Sequence, residues 1–274
     1  MYKSLDETKS YCNKLNVYIT LSAGDNGFYD VPKTVTEAVS SGWTLTDRPS
    51  GPYSQLILYC YSDRLLCGLY DGDTGNVAGL QISLPQDRFV NAVYDWEALG
   101  LVEWTPAVAD GETSKTYWST VEYFVSEGAS ERLASFNSSR TLQENAVWLT
   151  GFHGNLVKIP LTSDEIEAAS FTEQGCFIGM GTHYYYNMSS ELICDQTTIF
   201  PWFPLTDNGK LIAVGFFVFG NLPSVSGERV WFEDGTREFI EVFFLRNCVY
   251  ELSDTPGLTS MHTYFIEEPW TIRC

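Results

Sequence analysis

Short apolar and aromatic runs, separated by turn-forming residues, recur along most of the chain. Residues 65–84 hold two such runs around Asp-Gly-Asp-Thr-Gly-Asn, and residues 204–220 are interrupted by Asn208-Gly209. Asn-Gly and Asp-Gly between apolar runs are strong hairpin signals, so Asp234-Gly235 within residues 229–245 predicts a third hairpin. Residues 115–125 are rich in β-branched and aromatic side chains, and residues 145–161 predict two short strands about Gly151 to Gly154.

Helix signals are few and short. Thr34 and Glu37 have the spacing of a capping box, and Gly42 is placed to end that helix after two turns. Thr162 and Glu165 open a second segment in the same way. Residues 129–145 are polar and fit either a helix or a loop.

The pattern as a whole predicts a mainly β protein, an antiparallel sandwich or barrel with a few short helices. An α+β fold is the alternative. Composition changes at no clear linker, so we expect residues 1–274 to form a single domain. In this interpretation the polar stretch 127–144 is a long loop inside that domain.

Amino-acid composition and net charge limit the kinds of core, ligand site and partner that the protein can have. Apolar residues make up 44% and aromatic residues 15%, enough for a large core or an aromatic-lined ligand site. The formal net charge is −19, which repels phosphate backbones and anionic lipid, so we expect no nucleic-acid partner. The longest apolar run, residues 211–220, is about half of the ~20 residues that a membrane span needs.

The cysteines favour an extracellular location. Seven are spread along the chain without a C-x-x-C pair, which is typical of disulfides in a secreted protein. The N-terminus lacks the apolar segment of a signal peptide, which fits a mature secreted form, or else an intracellular chain with reduced thiols. We expect the pairs Cys60–Cys67 and Cys176–Cys194, with Cys274 bonded to a core cysteine. The odd cysteine would be free or bonded to another chain.

Two N-glycosylation motifs accompany the cysteines, at Asn137 and Asn187. A protein that passes through a eukaryotic secretory route would carry a glycan on at least one of them. Asn137 is the better acceptor by sequence because it lies in a polar stretch, whereas Asn187 follows three tyrosines.

Familiar catalytic motifs are missing from the chain. The serine-nucleophile elbow, the H-E-x-x-H zinc motif and the glycine-rich phosphate loop do not occur. Asp71 and Asp73 resemble the start of a calcium loop, but Asn76 and Ile82 stand where that loop needs glycine and glutamate. A hairpin turn explains these residues better.

The histidines are the remaining candidates for chemistry. His183 and His262 each precede alternating aromatics, so the period of two places Tyr185 on the face of His183 and Tyr264 on the face of His262. The pair could serve as general acid and base, since imidazole titrates near neutral pH. With His153 they could instead bind one divalent metal such as zinc. Each could also be a buried polar residue that is satisfied by a hydrogen bond.

Two classes of function follow. The first is a secreted enzyme that acts on a small molecule in an aromatic-lined pocket, with His183 and His262 catalytic and Tyr185 and Tyr264 as orienting or proton-sharing partners. It requires the histidines to converge on one cavity. The second is a secreted non-catalytic protein that binds a sugar or a small apolar ligand on exposed aromatic side chains.

Overall fold

Two antiparallel sheets of eight strands each make up most of the fold. The computed structural model describes residues 15–18, 27–90, 92–108, 113–124, 146–226, 228–241 and 247–274. Among these residues strands account for 41% and helices for 14%, and the two sheets do not close into a barrel, which fits a β-sandwich. The predicted mainly β class is therefore confirmed, and the sandwich is the architecture that forms.

Sheet 1 combines strands from both ends of the chain. Its order is β11-β12-β13-β14-β16-β1-β2, with β15 on the edge of β16. The strands are β1 (Asn16–Tyr18), β2 (Phe28–Asp30), β11 (Phe171–Phe177), β12 (Gly181–Tyr186), β13 (Trp202–Asp207), β14 (Lys210–Phe219), β15 (Glu233–Asp234) and β16 (Leu258–Tyr264).

Sheet 2 is formed by consecutive strands from the middle of the sequence. Its order is β10-β9-β8-β6-β5-β4-β3, with β7 paired to β8. The strands are β3 (Thr44–Thr46), β4 (Leu56–Cys60), β5 (Leu66–Asp71), β6 (Val77–Pro85), β7 (Val102–Trp104), β8 (Tyr117–Tyr123), β9 (Val147–Thr150) and β10 (Leu156–Ile159). The helices are α1 (Val35–Ser40), α2 (Ser163–Ala168), α3 (Arg237–Ile240) and α4 (Asn247–Asp254).

Most of the predicted turns and caps are present. Asn208 and Gly209 have φ of 50° and 73°, the left-handed geometry of the two-residue turn that joins β13 to β14. At the start of α1, the Thr34 hydroxyl accepts a hydrogen bond from the backbone N–H of Glu37. Thr162 precedes α2 as predicted, and its hydroxyl donates to the Glu165 carboxylate. Residues 129–145 lie outside the described part of the chain.

The hairpin predicted at Asp234-Gly235 is wrong. β15 has only two residues, and Thr236 then begins the short helix α3. β15 pairs with Thr259 and Ser260 of β16, while β1 pairs with the same strand at Thr263 and Tyr264. β1 and β15 pair along the same edge of β16, so that edge has few residues with which a longer β15 could pair. Helix α4 had no counterpart in the sequence prediction.

Sheet 1 is buried on both faces. One apolar cluster joins it to sheet 2 and includes Trp202, Phe216 and Met261 together with Leu80 and Leu149. A second cluster covers its other face, where Ile240 of α3 and Val249 of α4 lie with Phe203, Phe217 and Tyr264. A strand that is buried on both sides carries a continuous apolar run, which explains why β14 is apolar without alternation.

Three disulfides connect the six cysteines in the described residues. Cys60–Cys67 joins neighbouring strands of sheet 2 as predicted, Cys176–Cys274 ties the last residue to β11, and Cys194–Cys248 ties the segment after β12 to α4. The predicted pair Cys176–Cys194 is wrong, because Cys194 lies beyond the end of β12 and contacts α4 instead. None of the six is available to another chain. Cys12 lies outside the described residues, so an intermolecular bond through it stays a prediction.

Thiol counting tests this disulfide assignment. In 6 M guanidinium without reductant, we expect at most one reactive thiol per chain, because Cys12 alone has no partner among the three bonds. After reduction the count should rise to the seven cysteines of the sequence. Peptide mapping should recover Cys274 linked to Cys176. Two or more thiols before reduction would contradict the assignment and the oxidising environment that it implies.

Membrane spans, glycosylation motifs and disulfides are the features that relate to the predicted extracellular location. No helix in the described residues is long and apolar enough to span a membrane. Asn187 is exposed and has φ of 48° in the turn that follows β12. Asn137 lies outside the described residues. Three intramolecular disulfides are consistent with an extracellular protein.

Candidate functional site

Strand β16 turns His262 away from sheet 2. Alternation along the strand places Leu258, Ser260, His262 and Tyr264 on one face and the residues between them on the other. Tyr264 belongs to the apolar cluster under α3 and α4, whereas Met261 belongs to the cluster between the sheets. His262 is 2% exposed, so its imidazole must find its partners inside the protein.

Glu233 provides one of those partners. β15 places Glu233 opposite Ser260, and the residue diagonal to Glu233 on the same face of β16 is His262. The His262 Nδ1 atom lies 2.7 Å from Glu233 Oε1. A carboxylate at this distance holds the proton on Nδ1 and leaves the lone pair of Nε2 available. Nε2 is buried and has no hydrogen-bond partner in the described residues.

His183 reaches the same place from β12. It pairs with Leu205 of β13, which pairs with Ala213 of β14. The two imidazole rings are 5.9 Å apart between centroids and nearly perpendicular, at 84°. The sequence expectation that His183 and His262 face one cavity agrees with this geometry. Their catalytic role stays a prediction.

Phe203 contacts both histidines because Gly215 leaves room for its ring. Phe203 and His262 both pair with Gly215, on opposite sides of β14. The Phe203 ring stacks near-parallel to His183 at 5.7 Å and meets His262 edge-on at 5.2 Å. A Cβ atom at position 215 would overlap the Phe203 ring. The glycine therefore determines the packing of the whole pair.

The cavity at the histidines is small and apolar. The rings of Tyr185, Phe203 and Phe217 line it beneath Phe239 and Ile240 of α3. Its volume is about 20 Å³, slightly above the ~10–15 Å³ that one water needs. The cavity therefore has no room for a molecule larger than water unless one of its walls moves.

Burial determines the charge states around the cavity. It lowers the pKa of His183 well below the usual value, His262 lowers it further, and the hydrogen bond to the Gly181 carbonyl opposes the change. His183 is therefore neutral at neutral pH. Burial raises the pKa of Glu233, and the neighbouring His262 opposes that rise. The pair is a neutral imidazole beside a carboxylate-bound imidazole, an arrangement suited to accepting a proton at Nε2 of His262.

The two tyrosines of the predicted site stack on the histidines. Tyr185 lies 6.4 Å from His183 and Tyr264 lies 6.4 Å from His262, both with near-parallel rings. The Tyr264 hydroxyl donates to the Met180 carbonyl, and burial raises the pKa of both tyrosines well above the usual value. This geometry suits an orienting role better than proton sharing.

His153 does not join the other two histidines. It is exposed on the turn between β9 and β10 of sheet 2, where it lines a separate surface groove of about 450 Å³ with Asp95, Glu97 and Glu103. In the described residues, no three His, Cys, Asp or Glu side chains are placed to hold a common metal ion. The predicted three-histidine metal site is therefore not formed.

Glu233 is the functional candidate that the sequence prediction missed. It was assigned to a hairpin strand, where a carboxylate between Phe232 and Asp234 resembles a solvent-facing residue. The available signal was an acidic residue within a strongly apolar run, which usually requires a buried partner. Comparison with known proteins adds no residue to the site, since no family model, curated protein or solved structure matches this chain.

Proposed function

We propose that the protein is a secreted enzyme in which His262, held by Glu233, transfers a proton to or from a small molecule. The observation that carries this proposal is the setting of His262: Nδ1 is bound to a carboxylate at 2.7 Å, Nε2 is buried without a partner, and the residue lines a cavity. A general base needs this combination of a fixed tautomer and a free lone pair. The three disulfides support secretion.

The surrounding residues have supporting roles. Neutral His183 adds no charge that would repel a proton on His262, and Tyr185 with Phe203 excludes water from both rings. Exclusion of water strengthens the interaction between Glu233 and the imidazolium that forms when Nε2 takes a proton. The substrate is small and largely apolar, because the walls of the cavity offer rings and aliphatic side chains.

The alternative predicted function, a non-catalytic protein with an aromatic binding platform, has less support. That function requires exposed rings, and in the described residues no aromatic side chain is exposed. The exposed large apolar residues there are all aliphatic: Val39, Leu45, Val90, Val93, Val102, Ile178, Ile193, Val225 and Val230.

Hydrolysis of p-nitrophenyl acetate tests the proposal, since an imidazole promotes this reaction. The ester is larger than the cavity, so its reaction at His262 also requires the cavity wall formed by Phe239 and Ile240 to open. We expect His262→Ala to lower the rate by about 100-fold, the usual contribution of a positioned general base. Glu233→Gln should lower it by about tenfold, because the amide holds Nδ1 without stabilising the imidazolium. Added imidazole should restore part of the rate in His262→Ala by filling the space left by the side chain.

His153→Ala is the matched control, because it removes an exposed histidine from the other sheet and should leave the rate unchanged. Far-ultraviolet circular dichroism and the melting temperature establish that each variant is folded. A folded His262→Ala protein as active as the wild type would contradict the proposal. His262 would then be a structural histidine that serves only to form the buried hydrogen bond with Glu233.

A further inference from the structure

A second cavity lies on the face of sheet 2 that points away from sheet 1. Glu122 of β8 faces Thr263 of sheet 1, so its strand neighbour Tyr123 faces outward. The loop of residues 48–52 covers this outward face and closes a cavity of about 110 Å³. Val102 lines the cavity and is partly exposed, so it marks where the cavity meets the protein surface.

Arg48 places an unpaired positive charge at the wall of this cavity. It is the only charged side chain among the described residues that line the space. Its guanidinium donates to the carbonyls of Pro52, Tyr53 and Leu56 at 2.8, 2.6 and 3.3 Å, but it forms no ion pair within the described ranges. Burial lowers the pKa of Arg48, and Tyr123 rather than a carboxylate opposes the change. A partly buried cation without a counter-ion is unfavourable, so the cavity favours an anion.

The guanidinium of Arg48 keeps two hydrogen-bond donors for such an anion. The three carbonyl bonds use both N–H groups of Nη1 and one of Nη2. The Nε–H and the second N–H of Nη2 have no acceptor in the part of the chain that the structure describes. Both nitrogens are bonded to Cζ, so a carboxylate can accept from the two at once. The carbonyl bonds hold the guanidinium in place before any ligand enters.

Tyr123 supplies a third donor to the same space. The residue is 2% exposed, and its hydroxyl has no hydrogen-bond partner in the described residues. Protein atoms do not seal this hydroxyl off from the cavity that it lines. A Cβ atom at Gly51 would lie 3.4 Å from Nη2 of Arg48 and 3.6 Å from the Tyr123 hydroxyl oxygen. The two donor groups therefore border one space that the glycine leaves open.

We propose that this cavity binds a short-chain monocarboxylate. The carboxylate would accept hydrogen bonds from Arg48 and from the Tyr123 hydroxyl, and the alkyl chain would contact Val121 and Leu156. The volume corresponds to about four waters at ~30 Å³ each, which suits a ligand of about four or five non-hydrogen atoms. This site is independent of the histidine pair.

The surface next to the cavity disfavours anions of higher charge. Val102 lines both the cavity and the surface groove that carries Asp95, Glu97 and Glu103. Three carboxylates near the opening repel a phosphate dianion more strongly than a monoanion. The apolar part of the wall also favours an alkyl chain over a fully hydrated oxyanion. A short alkyl carboxylate therefore fits the site better than inorganic phosphate does.

Titration with propionate tests the proposal, with propionamide as the neutral isostere and inorganic phosphate as the competing anion. In protein that contains ¹⁵N-labelled arginine, the Nε–H resonance of Arg48 reports directly on the site, and its absence from Arg48→Lys assigns it. We expect a saturable shift with Kd on the order of 1 mM, a typical value for a ligand of about five atoms. Propionamide and phosphate should each bind more weakly by about tenfold or more, because one lacks the charge and the other carries too much.

Three variants separate the site from general effects of the anion. Tyr123→Phe keeps the ring but removes the hydroxyl, and it should weaken propionate binding about tenfold, the usual effect of losing a hydrogen bond to a charged group. Gly51→Ala places a methyl between the two donor groups and should weaken binding by at least as much. Tyr59→Phe removes a hydroxyl from neighbouring β4 outside the cavity and should bind propionate as the wild type does.

The melting temperature of each variant establishes that it is folded. A wild-type shift that grows linearly without saturation would overturn the proposal. So would equal affinity for propionamide, tighter binding of phosphate than of propionate, or undiminished affinity in folded Tyr123→Phe. Arg48 would then serve only to hold the loop of residues 48–52 against sheet 2.

Discussion

Replacing Glu122 by glutamine should raise the free energy of unfolding at pH 8 by several kcal/mol and leave it almost unchanged at pH 4. Glu122 is fully buried in β8, and neither carboxyl oxygen has a partner within hydrogen-bond geometry in the described residues. Burial raises the pKa of Glu122 to about 8 from an ordinary 4.5, and the neighbouring Thr263 opposes the rise only weakly. The carboxyl is therefore protonated in the folded protein at neutral pH.

The direction of the effect follows from where the proton is held. Between pH 4.5 and about 8 the unfolded chain loses this proton and the folded protein keeps it. Stability therefore falls as pH rises through that range, by up to about 1.4 kcal/mol per pH unit. The full difference corresponds to about 5 kcal/mol above pH 8. Glutamine cannot ionise, so the variant should lose this slope.

Urea unfolding of both proteins at half-unit steps from pH 4 to pH 9 measures the difference. Glu103→Gln, an exposed position on neighbouring β7, is the control and should follow the wild type at every pH. Parallel curves for wild type and Glu122→Gln would show that Glu122 ionises in the folded protein much as it does in the unfolded chain. The position of the carboxyl between the sheets would then need revision.

Gly215→Ala should destabilise the protein by about 3 kcal/mol, near the upper end of what one inserted methyl causes in a packed core. The new methyl would overlap the ring of Phe203, which contacts both histidines. The ring is packed against both histidines, so its displacement should disturb them, and we also expect the ester hydrolysis proposed above to fall with stability. Thermal and urea unfolding measure the first effect.

A double-mutant cycle tests whether overlap with Phe203 causes the loss of stability in Gly215→Ala. Phe203→Leu leaves room for the methyl, so the double variant should be at least 1 kcal/mol more stable than the two single effects predict by addition. Gly51→Ala is the matched control, because a methyl there meets its nearest neighbour at 3.4 Å, close to ordinary contact distance. Additivity within about 0.5 kcal/mol would contradict the assigned collision.

The sequence predicts local features well where one short pattern determines the geometry. Asn208-Gly209 predicts its turn because few other dipeptides accept two left-handed residues in succession. The capping residues Thr34 and Thr162 were found because an N-cap acts within one helical turn. The face shared by His262 and Tyr264 follows from strand alternation alone.

The remaining features depend on contacts between distant parts of the chain. Glu233 reaches His262 only because β15 pairs with β16, and no local pattern around Glu233 contains that register. Cys194 bonds to Cys248 rather than to Cys176, which is nearer in sequence, because α4 packs against the segment that follows β12. Helix α4 was missed because its short sequence resembles the strand-like runs on either side, and packing on sheet 1 decides its form.

The interleaved strand order of the two sheets has a consequence for synthesis on the ribosome. All strands of sheet 2 lie between β2 and β11, so each can find its neighbours while later residues are still being added. Sheet 1 must instead wait, because β1 pairs with β16, and the Asn16 amide donates to the Ile266 carbonyl 250 residues away. The nascent chain therefore carries β1 and β2 unpaired with the rest of sheet 1 until β16 (Leu258–Tyr264) has been synthesised. That interval is when a chaperone would be most needed.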